Sequence, residues 1–184
     1  MAARAAATQT AFVVLVPEAE TLVREWRERF DPAALLGVPA HLTVLFRFLP
    51  PCEVTPAVLA RAAEAIAAVR AFGFRLVRVE RFATTAYLAP EPAAPFVALT
   101  TALTRAFPAF APYGGAHPAI VPHLTVAQGS EPNATHVAAE LQTALREHGP
   151  VDAWCGQLSL LENPDGRWRA MHSLALPSHG AIPR

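Results

Sequence analysis

The chain contains no lysine: all fifteen of its basic side chains are arginine. That absence excludes a lysyl adenylate, a Schiff base to a cofactor, and a phosphate-loop lysine. Aspartate is scarce, limited to Asp31, Asp152 and Asp165, and no carboxylate cluster accompanies the histidines. A zinc or magnesium site is therefore not expected, and no cofactor is implied. The two cysteines, Cys52 and Cys155, have no metal-type spacing and read as reduced structural thiols in a cytoplasm. The formal net charge is zero, so no global field draws in a long polynucleotide; a short end or a small nucleotide is the better match. No apolar run approaches the ~18 residues of a membrane helix, so no membrane partner is expected. The run from Ala11 to Val16 is too short for a signal-peptide core and reads as a strand.

A hydrophobic content of 53% over 184 residues is ample for a packed interior. The expected organisation is one monomeric domain over residues 11–177, between flexible tails at 1–10 and 178–184. Periodicity predicts alternating strands and helices. Leu22, Val23, Trp26 and Phe30 mark a helix over Glu18 to Phe30, and Thr55-Pro56 caps and opens a second one that stops before Gly73. Strands are expected at His41 to Phe46, Phe74 to Glu80, Thr84 to Leu88 and Pro122 to Ala127. Helices are expected through Phe96, Leu99 and Leu103, and through Val137, Leu141 and Leu145 up to Gly149. A closing strand pair, Gln157 to Leu161 and Trp168 to Leu176, flanks the turn signal Asn163-Pro164-Asp165-Gly166. Strand–helix–strand–helix–strand thus occurs twice, which points to an internal duplication and two similar lobes. Trp26, Trp154 and Trp168 read as core residues. The Pro- and Gly-rich stretch from Pro108 to Val121 reads as a long loop.

The middle strand of each half carries the same tetrapeptide, His41-Leu42-Thr43-Val44 and His123-Leu124-Thr125-Val126. Alternate residues of a strand share a face, so each copy presents His and Thr together and sends Leu and Val inward. A proline lies shortly upstream of each histidine, at Pro39 and Pro122. If the lobes pack about a pseudo-two-fold axis, the two His-Thr faces meet across one cleft. Two imidazoles with an ordinary pKa near ~6.5 suit phosphodiester chemistry, one taking a proton while the other gives one. The hydroxyls of Thr43 and Thr125 suit hydrogen bonds to non-bridging phosphate oxygens. A single His-x-Thr carries little information; two copies in equivalent places carry much more.

These twin motifs resemble those of the 2H phosphoesterase superfamily, specifically its bacterial 2′-5′ RNA ligase-like branch. The resemblance extends through Ala86-Tyr87-Leu88, the helix through Leu99 and Leu103, Pro112-Tyr113-Gly114-Gly115, and Val121 to Val126, and spans about Phe12 to Leu176. It implies a bilobal α+β fold, with two pseudo-two-fold-related lobes whose antiparallel sheets line a central cleft and whose helices lie outside. It implies that His41 and His123 are the acid–base pair and that Thr43 and Thr125 hold the phosphate. The substrate it implies is a nucleotide or RNA end carrying a 2′,3′-cyclic phosphate, or 2′-5′ linked RNA, without a metal. Arg47 departs from the pattern, standing where members of this branch often carry proline, and is a possible phosphate contact at the cleft edge. Tyr87 and Tyr113 are further candidates for contact with base, ribose or phosphate. The alternative is an RNA-end or nucleotide binding module that keeps the cleft without turnover.

Overall fold

The structure, a computed structural model, describes residues 8–110 and 119–178. Strand β1 (Gln9–Leu15) leads through a 3-10 turn at Pro17–Ala19 into helix α1 (Glu20–Phe30). The helix carries Glu20 in its first turn and Arg27 and Arg29 in its last, the arrangement its dipole favours. Asp31 ends it and at once caps the short helix α2 (Pro32–Leu35), its Oδ1 accepting from Ala33 N at 3.0 Å ahead of Pro32 at the first helical position. Strand β2 (His41–Leu45) follows, then α3 (Pro56–Ile66), capped as expected by Thr55, whose Oγ1 accepts from Val58 N.

Strands β3 (Phe72–Phe82) and β4 (Thr85–Glu91) form a hairpin, followed by α4 (Ala94–Ala106). Strand β5 (Leu124–Gln128) precedes α5 (Glu131–His148), which Ser130 caps at its start and Gly149 ends at φ 80°. Strand β6 (Val151–Cys155), which periodicity did not predict, leads through Gly156 into the hairpin β7 (Gln157–Asn163) and β8 (Arg169–Ala175). The turn signal holds: Asn163 Oδ1 accepts from Gly166 N at 2.7 Å, and Gly166 takes φ 93°.

Two four-stranded antiparallel sheets result, in the orders β2-β1-β7-β8 and β5-β4-β3-β6. The motif strands β2 and β5 occupy equivalent edges, paired respectively to β1 and β4. The repeated order of elements does not map onto contiguous lobes, however. Strand β3 of the first half joins the second sheet, and the closing hairpin completes the first. The connecting helices are exchanged too. Helix α1, between two strands of the first sheet, packs on β5 of the second; α4, between two strands of the second, packs on β2 of the first. There the buried Thr100 hydroxyl donates to Val44 O at 2.9 Å.

One core cluster runs through both sheets and their helices, so each sheet depends on the other for its apolar burial. Leu42 and Val44 of one motif and Leu124 and Val126 of the other lie in it, each at most 3% exposed. Each such side chain contributes roughly 1.5–3 kcal/mol by leaving water, which fixes the register that turns His and Thr outward. Trp26 and Trp168 pack partly buried against the interior. Trp154 does not belong to it: the side chain is 58% exposed, because it lies on the outer face of β6 over the backbone of Gly73 and Gly156.

Candidate functional site

Each motif presents alternating half-buried and buried residues, with His41 and Thr43 turned out beside buried Leu42 and Val44. The pairing to β1 sets His41 opposite Leu15 and Thr43 opposite Val13. On the other side Thr125 pairs with Tyr87 and Leu124 with Leu88, while His123 stands one residue ahead of β5. Strands β2 and β5 lie close to one another, and His41 is near enough to His123 to be influenced by its charge.

The two rings are held alike. His41 Nδ1 lies 2.8 Å from Pro39 O, and His123 Nδ1 lies 2.7 Å from Val121 O. A carbonyl oxygen can only accept, so each Nδ1 carries the hydrogen, and in the neutral ring Nε2 is then the basic nitrogen. The same bond, made two residues upstream in both copies, gives the two imidazoles one tautomer and one orientation relative to their strands.

His41 sits in a charged setting built from α1. Arg27 and Asp31 form a buried ion pair at 2.9 Å, with 3% and 1% of their side chains exposed. Arg27 also donates to Val38 O at 3.1 Å, and Glu20 accepts from Ala40 N. Burial pushes the His41 pKa down to about 4. The bond to Pro39 opposes this and the Arg27 charge adds to it; Asp31 raises the value and the charge of His123 lowers it further. A value this far below neutrality leaves the His41 ring uncharged near pH 7, with the charge of His123 the smallest of these influences.

His123 is flanked by rings. Phe82 meets it edge-on at 5.3 Å between centroids and Tyr87 lies at 5.2 Å, with Phe82 and Tyr87 4.6 Å apart. Tyr87 is buried and donates its hydroxyl to Glu80 Oε2 at 3.1 Å. Burial and that carboxylate push its pKa up to about 12. Phe82, in contrast, remains 39% exposed beside the histidine. Arg47 follows β2 as an exposed residue with its guanidinium 5.9 Å from the Phe46 ring. Tyr113 lies outside the described residues.

The structure thus gathers His41, Thr43, His123, Thr125 and Tyr87 around the adjoining edges. Motif reading missed the residues behind them: Glu20, Arg27, Asp31, Glu80 and Phe82. The spacing of Arg27 and Asp31, four apart across the end of α1, was the one available signal, and such spacing ordinarily marks a solvated pair. Among the described residues no three His, Cys, Asp or Glu side chains come together as a metal site would require, and no helix is long and apolar enough to cross a membrane. A separate cavity of about 520 Å³ lies between α1 and the end of α5, lined in part by Trp26, Glu25 and His148, and includes neither motif.

Among solved structures, the protein TT0787 of Thermus thermophilus is similar over 94% of this chain and 100% of its own, with 18% identity and a TM-score of 0.60. A structure described as a phosphoesterase covers 94% of this chain and 99% of its own at 17% identity and a TM-score of 0.58. E. coli LigT complexed with 3′-AMP covers 92% and 98%, with 18% identity and a TM-score of 0.56. At these identities the likeness concerns the fold. No curated protein matches significantly. The family model of the 2′-5′ RNA ligase superfamily matches residues 15–167, and the chain belongs to that superfamily.

Proposed function

We propose that the protein is a metal-independent phosphodiesterase acting on 2′,3′-cyclic phosphates or 2′-5′ linked RNA, with His41 and His123 as its acid–base pair. The observation that carries this reading is the matched pair of Nδ1-to-carbonyl bonds, which leaves Nε2 as the reacting nitrogen of each neutral ring. Two imidazoles on adjoining strands then serve the two ends of one displacement. One takes a proton from water or a vicinal hydroxyl as that oxygen bonds to phosphorus. The other enters the step as the imidazolium and gives its Nε2 proton to the ribose oxygen as that oxygen's bond to phosphorus breaks. Thr43 and Thr125, on the same faces, donate to the non-bridging oxygens that carry the charge. The E. coli LigT structures with 3′-AMP, ATP and NADP+ support a nucleotide-sized ligand in this fold.

The test is hydrolysis of 2′,3′-cyclic nucleotides and of a cyclic-phosphate-ended oligonucleotide in EDTA, by wild type, His41→Ala and His123→Ala. Turnover in wild type, reduced by about 10²-fold or more in each variant, is the expected result. A strict metal requirement, or turnover that survives both substitutions, overturns the mechanism. Binding of the oligonucleotide without any turnover would make the protein a binding module instead.

A further inference from the structure

The two histidines make the same bond, yet the peptides that receive it differ chemically. Pro39 O, the acceptor for His41, shares its peptide unit with Ala40 N–H. Val121 O, the acceptor for His123, shares its unit with the nitrogen of Pro122, which has no hydrogen. A trans peptide is planar, with its C=O and N–H pointing in opposite directions. Whatever holds Ala40 N–H therefore aims Pro39 O. That group is the Glu20 carboxylate, at the first residue of α1.

We propose that Glu20 is a positioning residue for His41, acting through the Pro39–Ala40 peptide, and that the Val121–Pro122 peptide denies His123 the same device. This rests on the reading of His41 as a reacting group. A carboxylate accepting from one end of a peptide also makes the carbonyl at the other end a better acceptor, because successive hydrogen bonds polarise one another. The negative charge of Glu20 thus reaches the imidazole without touching it, and it supports the imidazolium that forms when Nε2 takes a proton. The neighbouring groups keep this peptide from turning. Arg27, locked by Asp31, donates to Val38 O; Val38 N donates to Ala33 O at 3.0 Å, and Ala40 O accepts from Val16 N at 2.8 Å. Pro39 adds its own fixed φ between them.

The experiment compares wild type with Glu20→Ala, Glu20→Gln and, as a control on the same helix, Glu25→Ala. Histidine ring ¹⁵N–¹H spectra are recorded beside kcat and KM for a 2′,3′-cyclic nucleotide. In wild type His41 should be a single Nδ1–H tautomer. Glu20→Ala should mix its tautomers and lower kcat about 10-fold or more, the effect of losing a group that orients a functional imidazole, with KM within about 2-fold. Glu20→Gln keeps an acceptor without the charge. It should retain the tautomer and most of kcat, while the Nδ1–H proton signal moves upfield as its bond weakens. The signals of His123 should hold still throughout, and Glu25→Ala should match wild type. Unmoved His41 signals in both Glu20 variants would overturn the proposal, as would equal changes at both histidines. Should wild type lack phosphodiesterase activity, the proposed function fails, while the ring signals still decide the role of Glu20.

Discussion

His41 and His123 donate from the same ring nitrogen to the carbonyl two residues upstream, at 2.8 and 2.7 Å. This correspondence fixes tautomer, and burial adds a pH dependence on the His41 side. With its folded pKa lowered to about 4 from an ordinary value near ~6.5, His41 binds its proton more readily in the unfolded chain. Its neutral form therefore favours the fold fully above pH ~6.5, and that contribution is lost as pH falls towards about 4. Thermal midpoints followed from pH 7 to pH 4 should drop more steeply for wild type than for His41→Asn. Parallel curves for the two proteins would show that burial does not depress this group.

The buried pair of Arg27 and Asp31 invites a second measurement. Both charges are out of water, and each has further work: Arg27 on Val38 O, Asp31 on Ala33 N. Removing one partner leaves the other charged and unmatched, which costs about 3–5 kcal/mol. Arg27→Met and Asp31→Asn should each lower the unfolding free energy measured by urea titration by that order. The double variant should lose clearly less than the two losses added, since the pair is one coupled unit. Strict additivity would mean that the pair contributes as two independent groups.

These residues also show where the sequence stopped being informative. The twin motifs, the Thr55-Pro56 helix start and the Asn163–Gly166 turn were legible because each is local: the residue types themselves carry the geometry. Arg27 and Asp31 look like an exposed helical pair, and only the packing of α1 beside the strand leading to His41 buries them. Strand β6 was missed because a single glycine, Gly156, separates it from β7, and because Asp152 and Trp154 give its outer face no apolar pattern. Trp154 was misplaced for a related reason. Hydrophobicity argues for the core, yet its indole nitrogen would lie 3.2 Å from a Cβ at Gly156, so the two glycines leave room for it on the surface. The exchange of β3 and the closing hairpin between sheets is a matter of long-range pairing, which no window of sequence contains.

Thr43 and Thr125 are expected to contribute to turnover less than the histidines do, because each supplies one hydrogen bond and moves no proton. Loss of such a bond to a charged oxygen is worth, at the low end, about 1.5 kcal/mol, roughly 10-fold in kcat/KM. Alanine at either position should lower kcat/KM by that amount, and Thr→Ser should restore most of it. A loss as large as that of the histidine variants would assign the threonines a different role.

Tyr87 supports His123 with its ring, while its hydroxyl is turned to Glu80. The phenol's high pKa, about 12, keeps that hydroxyl a donor throughout the neutral range. If the ring is what matters, Tyr87→Phe keeps the contact with His123 and removes only a hydrogen bond, at a cost of about 0.5–1.5 kcal/mol. Its kcat should stay within about 3-fold of wild type. Tyr87→Ala removes the wall altogether in a position only 3% exposed, so stability should fall by roughly 3–5 kcal/mol, the range for a buried aromatic cut to alanine. In the fraction that remains folded, His123 would lose its flanking ring and kcat should fall well below that of Tyr87→Phe. Equal and large losses of kcat in both variants would instead make the hydroxyl a direct contact of the substrate phosphate.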